Sequence, residues 1–192
     1  MQGKISSIKK HSLAEAAGIH PGETLLAANG KKLRDILDLS FLAADNSVRL
    51  ELSSEDGVKR EVTIDKEPDE DLGLIFESAV FDGIRCCAND CIFCFVQQMI
   101  PGLRPGLYVK DDDYRLSFLY GNFVTLTNMA EADFQRILTT HMSPLYVSVH
   151  TTDAKLRSSM MRNEQAGGIM ERLKNTSQSS SVDSAYPSGL VL

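Results

Sequence analysis

All four cysteines of this 192-residue chain fall between positions 86 and 94, so they are not thiols scattered through a core. Cys87, Cys91 and Cys94 form a Cys-x3-Cys-x2-Cys run, which offers three thiolates to one small inorganic centre. Three ligands are one short of the four that close a structural zinc site. They suffice to hold three irons of a [4Fe–4S] cube and leave the fourth iron open to chemistry. Three other readings compete. A disulfide pair would suit an oxidising compartment, but the first ten residues carry no apolar signal core. Zinc needs a fourth ligand, and Cys86 is adjacent to Cys87 while His141 and His150 are distant in sequence. The plainest alternative is four reduced thiols in a loop.

Phe93 directly precedes the last cysteine. The cysteine spacing with this aromatic resembles the signature of radical S-adenosylmethionine (SAM) enzymes. Residues 110–128, which begin with Lys110, Asp111, Asp112, Asp113, Tyr114 and Arg115, resemble a narrower group. Its members join an N-terminal PDZ-like domain, a radical SAM barrel and a C-terminal domain of unknown function. They are described as iron–sulfur oxidoreductases related to the molybdenum-cofactor and nitrogenase-cofactor maturases. The resemblance implies a [4Fe–4S] cluster on Cys87, Cys91 and Cys94, with Cys86 a bystander. It implies that SAM chelates the open iron through its amino and carboxylate groups. One electron, from a donor such as a ferredoxin or flavodoxin, then yields methionine and a 5′-deoxyadenosyl radical that abstracts hydrogen from a substrate of unknown identity.

The same resemblance implies roles for other residues. Phe93, Thr127 and Asn128 are the cofactor-binding candidates. Relatives commonly carry Gly-Gly-Glu where this chain has Thr127, Asn128 and Met129; Asn128 can offer its amide oxygen to an ammonium, but it equally suits a helix N-cap. Asp111, Asp112, Asp113, Arg115 and His150 are the candidates for substrate positioning or closure. Charge alone reads the three carboxylates as an exposed turn. The run containing Ser148, His150, Asp153 and Arg157 is similar to the group's third-strand region.

These residues need elements to position them. Residues 1–76 read as a small β-rich domain. Ser12 and Glu15 form a capping box, and Gly18 suits a left-handed helix end. A strand is expected at 24–28, with Asn29-Gly30 as a hairpin turn. A helix follows at 33–42, and strands at 48–52 and 58–64 flank Asp56-Gly57. Residues 4–9 read as an edge strand. The run from Ser12 to Gly30 resembles a bacterial PDZ domain, and residues 71–76 resemble its carboxylate-binding loop and strand. Such domains bind extended peptides by strand addition, so a peptide at this edge is one expectation; packing of the edge without any ligand is the other.

Residues 77–174 read as the N-terminal part of a radical SAM barrel, giving α/β architecture beside the PDZ-like domain. Parallel strands are expected at 78–84, 123–127 and 145–149, with the site beyond their C-terminal ends. Asn128 would cap a helix at 130–141, and Thr152 or Asp153 one at 155–162; a further helix is expected at 169–174. Pro101, Gly102, Pro105 and Gly106 break the chain after the cysteines. Residues 175–192 hold six serines in eighteen positions, which reads as a disordered tail, or a tail in a foreign frame on a truncated copy.

Composition sets outer limits. Apolar residues at 43% and charged residues at 24% are ordinary for a globular chain. No apolar run approaches the ~20 residues of a membrane span. A net charge of −6 argues against a general nucleic-acid groove. Clustered cysteines without a secretion signal point to the cytoplasm.

Overall fold

Alternation of side chains from Ser47 to Ser53 points Val48, Leu50 and Leu52 into a core where all three are fully buried. Around this strand a computed structural model describes residues 3–179 and 190–191. The chain divides into two compact units, one up to Gly83 and one from Ile84 onward.

The first unit contains β1 (Gly3–Ile8), α1 (Leu13–Ala16), β2 (Thr24–Ala28), β3 (Lys31–Lys32), α2 (Ile36–Leu42), β4 (Ser47–Ser53), β5 (Lys59–Asp65) and β6 (Leu74–Phe76). Its antiparallel sheet runs β5-β4-β2-β1-β6, with β3 paired to β2. β1 is therefore interior to the sheet, not the edge strand its weak alternation suggested, because β6 returns to pair with it. The local signals behave as their chemistry dictates. Ser12 Oγ accepts from Glu15 N at 3.3 Å, and Glu15 Oε2 accepts from His11 N at 2.6 Å. The glutamate thus reaches one residue upstream of the cap. Asn29 and Gly30 both have positive φ, at 49° and 73°, as a type I′ hairpin turn requires. Asn29 also ties two elements together, donating to Leu42 O and accepting from Arg49 N.

Residues 78–84 form no strand. Val80 makes an isolated bridge to Asp35, and Phe81 donates its N–H to Arg34 O while its ring packs on Phe76 at 4.9 Å. Both side chains are buried in the first unit. That unit therefore runs past the boundary expected near residue 76.

The second unit contains α3 (Tyr114–Tyr120), β7 (Phe123–Val124), α4 (Glu131–Thr139), β8 (Leu145–Val147), α5 (Ala154–Met161), α6 (Ile169–Ser179) and β9 (Leu190–Val191), with 3₁₀ turns at Pro105–Tyr108 and Glu164–Gly168. Its sheet is parallel, in the order β7-β8-β9. Helix α4 supplies the crossover that a parallel pair needs. Among the described residues three parallel strands are present, but the third comes from Leu190–Val191 and not from residues 78–84. Asp113 caps α3, which ends at left-handed Gly121, and Asp153 caps α5. The cap of α4 is Ala130, so the N-cap role expected of Asn128 is not realised. α6 continues past Lys174 through Ser179; the rest of the tail expectation, at 180–189 and 192, lies outside the described residues.

A candidate iron–sulfur site beyond the ends of the parallel strands

The cysteine loop is held from both sides by backbone hydrogen bonds. On entry, Cys87 N donates to Lys110 O at 2.6 Å, and Asp112 N donates to Arg85 O at 2.8 Å. Cys86 forms an isolated antiparallel bridge with Asp111. The stretch 110–112 is thus the strand-like partner of the loop, not a free turn. On exit, Asp90 N and Ile92 N donate to Met161 O and Met160 O at 3.1 and 3.0 Å. Those carbonyls lie in the last turn of α5, where a helix has acceptors to spare. Arg162, left-handed at the C-cap, pairs with Asp90 at 2.8 Å. Cys94 N closes a tight turn on Cys91 O at 3.1 Å.

All four thiols are free; Cys86 is exposed, and Cys87, Cys91 and Cys94 are half-buried. Burial raises the Cys87 thiol above its ordinary value. Burial also raises Cys91, and negative charge on Cys87 and on Cys94 adds to the effect. Cys91 therefore lies within electrostatic reach of both Cys87 and Cys94. Among the described residues, no group of three or more His, Cys, Asp and Glu side chains is arranged to hold a single metal ion.

Beneath the loop lies a polar network that the sequence did not signal. Asn89, inside the Cys-x3-Cys interval, donates from Nδ2 to Cys87 Sγ at 3.2 Å and to Thr125 Oγ1 at 3.1 Å. Its Oδ1 accepts from Thr127 Oγ1 at 3.0 Å and Asn163 Nδ2 at 2.7 Å. Thr125 Oγ1 in turn donates to Asp112 Oδ2 at 2.6 Å. Burial pushes the Asp112 carboxyl above its ordinary value, against the lowering effect of the Thr125 bonds. Arg157 is also interior and donates to the carbonyls of Thr125, Ser148, Val149 and Ala166. Thr125 follows β7 and Ser148 follows β8, so one guanidinium ties the C-terminal ends of both strands.

The structure separates the sequence candidates. Phe93 stacks obliquely on His150, ring centroids 4.9 Å apart, which brings His150 to the cysteine loop. Burial lowers the His150 pKa, and the Arg157 charge lowers it further. Asn128 donates to Cys86 O at 2.8 Å. Thr127 is buried, and its hydroxyl donates to Asn89 Oδ1 within the network. Asp112, Asp113 and Arg115 are likewise interior, contrary to the exposed turn that charge alone suggested. Asp113 accepts from Arg115 Nε at 2.9 Å and Nη2 at 2.7 Å. A carboxylate two residues from its guanidinium neutralises itself and can be buried. Of the acidic run, Asp111 alone keeps partial exposure, accepting from Asn122 Nδ2 at 2.9 Å. Asn89, Thr125 and Asn163 were missed because they are ordinary polar residues far apart in sequence. The one available signal was an asparagine inside the cysteine interval.

No helix among the described residues is long and apolar enough to cross a membrane. Residues 4–53 match the family model of a PDZ domain. Among solved structures, the PDZ domain of an SdrC-like protein from Listeria innocua is similar, at 14% identity, covering 41% of this chain and 96% of that one with a TM-score of 0.35. A search of curated proteins finds no match. Residues 66–182 match the family model described as a Radical SAM-like domain. With more than half its length matched, the chain belongs to the Radical SAM-like domain family.

Proposed function

We propose that the second unit holds a [4Fe–4S] cluster on Cys87, Cys91 and Cys94 and uses it to open radical chemistry on SAM. The observation that carries this reading is the set of three free, half-buried thiols on one loop that backbone hydrogen bonds to Lys110, Met160 and Met161 hold in place. Three thiolates are the donor set of a cluster with one open iron. When bound, such a cluster supplies an electron and an open coordination position to SAM. The chain's own residues bind, orient and shield. Asn128 commits its amide nitrogen to Cys86 O and presents its oxygen as the acceptor for the SAM ammonium. Phe93, packed on His150, offers apolar surface beside the last cysteine. Asp111 and His150 are the candidates that remain available to a substrate.

Anaerobic reconstitution of the full chain with iron and sulfide, followed by EPR of the reduced protein, tests the reading. A four-iron signal that changes on adding SAM is expected. Cys91→Ala should abolish the iron content and Cys86→Ala should leave it; the opposite pattern, or a cluster indifferent to SAM, would overturn the assignment. A second reading, a peptide-binding or scaffold module carrying an inactive barrel fragment, is supported by the PDZ match and by β6 ending the sheet. Peptide binding that survives replacement of all three cysteines, with no cluster in the unaltered chain, would favour it.

A further inference from the structure

Asn89 is 2% exposed, and every hydrogen-bonding position of its side chain is occupied. A primary amide has two donors and two acceptor sites. The donors go to Cys87 Sγ and Thr125 Oγ1, and the oxygen accepts from Thr127 and Asn163. Turned over, the amide would set its NH2 against that of Asn163 and its oxygen against the sulfur. The network therefore permits one orientation, with an N–H aimed at the thiol. The backbone is held as well, since Lys110 Nζ donates to Asn89 O at 2.7 Å. Because the site is buried, water cannot easily replace the donor if it is lost.

We propose that Asn89 is a positioning residue that, by donating to the Cys87 sulfur, raises the reduction potential of the iron–sulfur centre. This rests on the cluster reading above. A sulfur ligand gains electron density when its cluster accepts an electron, so a fixed N–H stabilises the reduced form more than the oxidised one. Hydrogen bonds to the sulfurs are among the determinants of cluster potential. Asn89 makes no contact with the reacting atoms in this account; it acts through Cys87.

The test is an EPR-monitored redox titration of the full chain after anaerobic reconstitution. Asn89→Leu keeps similar bulk and removes the donor. It should make reduction about tenfold less favourable, a shift of ~59 mV to more negative potential for a one-electron couple, with iron and sulfide per chain unchanged. Asn163→Ala lies farther along the network, frees one side of the amide oxygen, and should shift the potential in the same direction by less. It decides the matter if Asn89→Leu fails to fold. An unchanged potential in a variant that retains its centre overturns the proposal, and loss of the centre in both variants overturns it too, leaving Asn89 a purely structural role. Absence of any centre in the unaltered protein would instead overturn the cluster reading, and this proposal with it.

Discussion

Between Ser47 and Ser53 the first unit buries Val48, Leu50 and Leu52, whereas between Asp112 and Arg115 the second unit buries two carboxylates, a tyrosine and a guanidinium. The contrast extends through both interiors. Among the described residues, the buried polar side chains of the first unit are Glu23, Asp35 and Lys66. Those of the second include Asn89, Thr127, Asp133, Arg136 and Arg157 beside the acidic run. Apolar burial is non-directional and tolerates small rearrangements. A buried polar network is directional, and it stabilises one arrangement only while every member is satisfied. The first unit is thus built to be stable, and the second to hold particular atoms in particular places around its cysteine loop.

The sharpest way to break this comparison is to remove the centre of each interior in turn. Arg157→Ala takes the donors from four carbonyls at the ends of β7 and β8. It should cost the second unit about 4 kcal/mol and leave the first unit's urea midpoint in place. Leu50→Ala should cost about 3 kcal/mol, confined to the first unit. Far-UV circular dichroism with a probe in each unit would resolve the two transitions. One shared transition, moved equally by both variants, would show that the units do not hold separate cores.

The same contrast decides what could be read from the chain in advance. Features of the first unit whose cause is local were legible: the Ser12 cap, the Asn29-Gly30 turn and the alternation of β4. Residues 78–84 misled because a strand was expected there to lead into the cysteine loop, while the partners of Val80 and Phe81 are Asp35 and Arg34, some 45 positions back. In the second unit the cysteine spacing was legible because it is compressed into eight residues. The acidic run was not, since a charge pattern does not reveal that Asp113 folds back on Arg115 or that Asp112 serves Thr125. Asn89 was invisible for the same reason: its partners at 125, 127 and 163 are assembled by the fold.

A smaller effect sharpens the comparison through pH. The carboxyl of Glu23 is held below its ordinary 4.5, chiefly by the hydrogen bond from Arg60. A depressed carboxylate stabilises above its unfolded pKa, and that stability is lost as pH falls through the folded value. The first unit should therefore weaken below about pH 4.5, and Arg60→Ala should flatten that slope. Asp112 has the opposite sign, because burial raises it above its ordinary 3.8. A raised carboxyl costs stability as pH rises from the unfolded pKa through the folded one. Asp112→Asn removes that cost, so the difference between variant and unaltered protein should move in the variant's favour between acid and neutral pH, measured without iron. A difference that is flat with pH would mean that Asp112 is not charged at the expense of the fold.

The smallest effects concern two helix caps that look equivalent in sequence. Ser12 caps a helix of four residues through a 3.3 Å bond, so Ser12→Ala should cost the first unit about 0.5 kcal/mol. Asp153 caps eight residues through a 2.8 Å bond to Leu156 N, and its charge also favours a helix N-terminus. Asp153→Ala should cost about 1 kcal/mol. The informative difference is where the loss is felt. The last carbonyls of α5 accept the amides of Asp90 and Ile92, so fraying of α5 loosens the cysteine loop from its far side. Hydrogen exchange at those two amides should quicken in Asp153→Ala and stay unchanged in Ser12→Ala. Equal exchange in both variants would mean that α5 packs beside the loop without anchoring it, and the loop's geometry would then rest on its pairing with residues 110–112 and on Asn89.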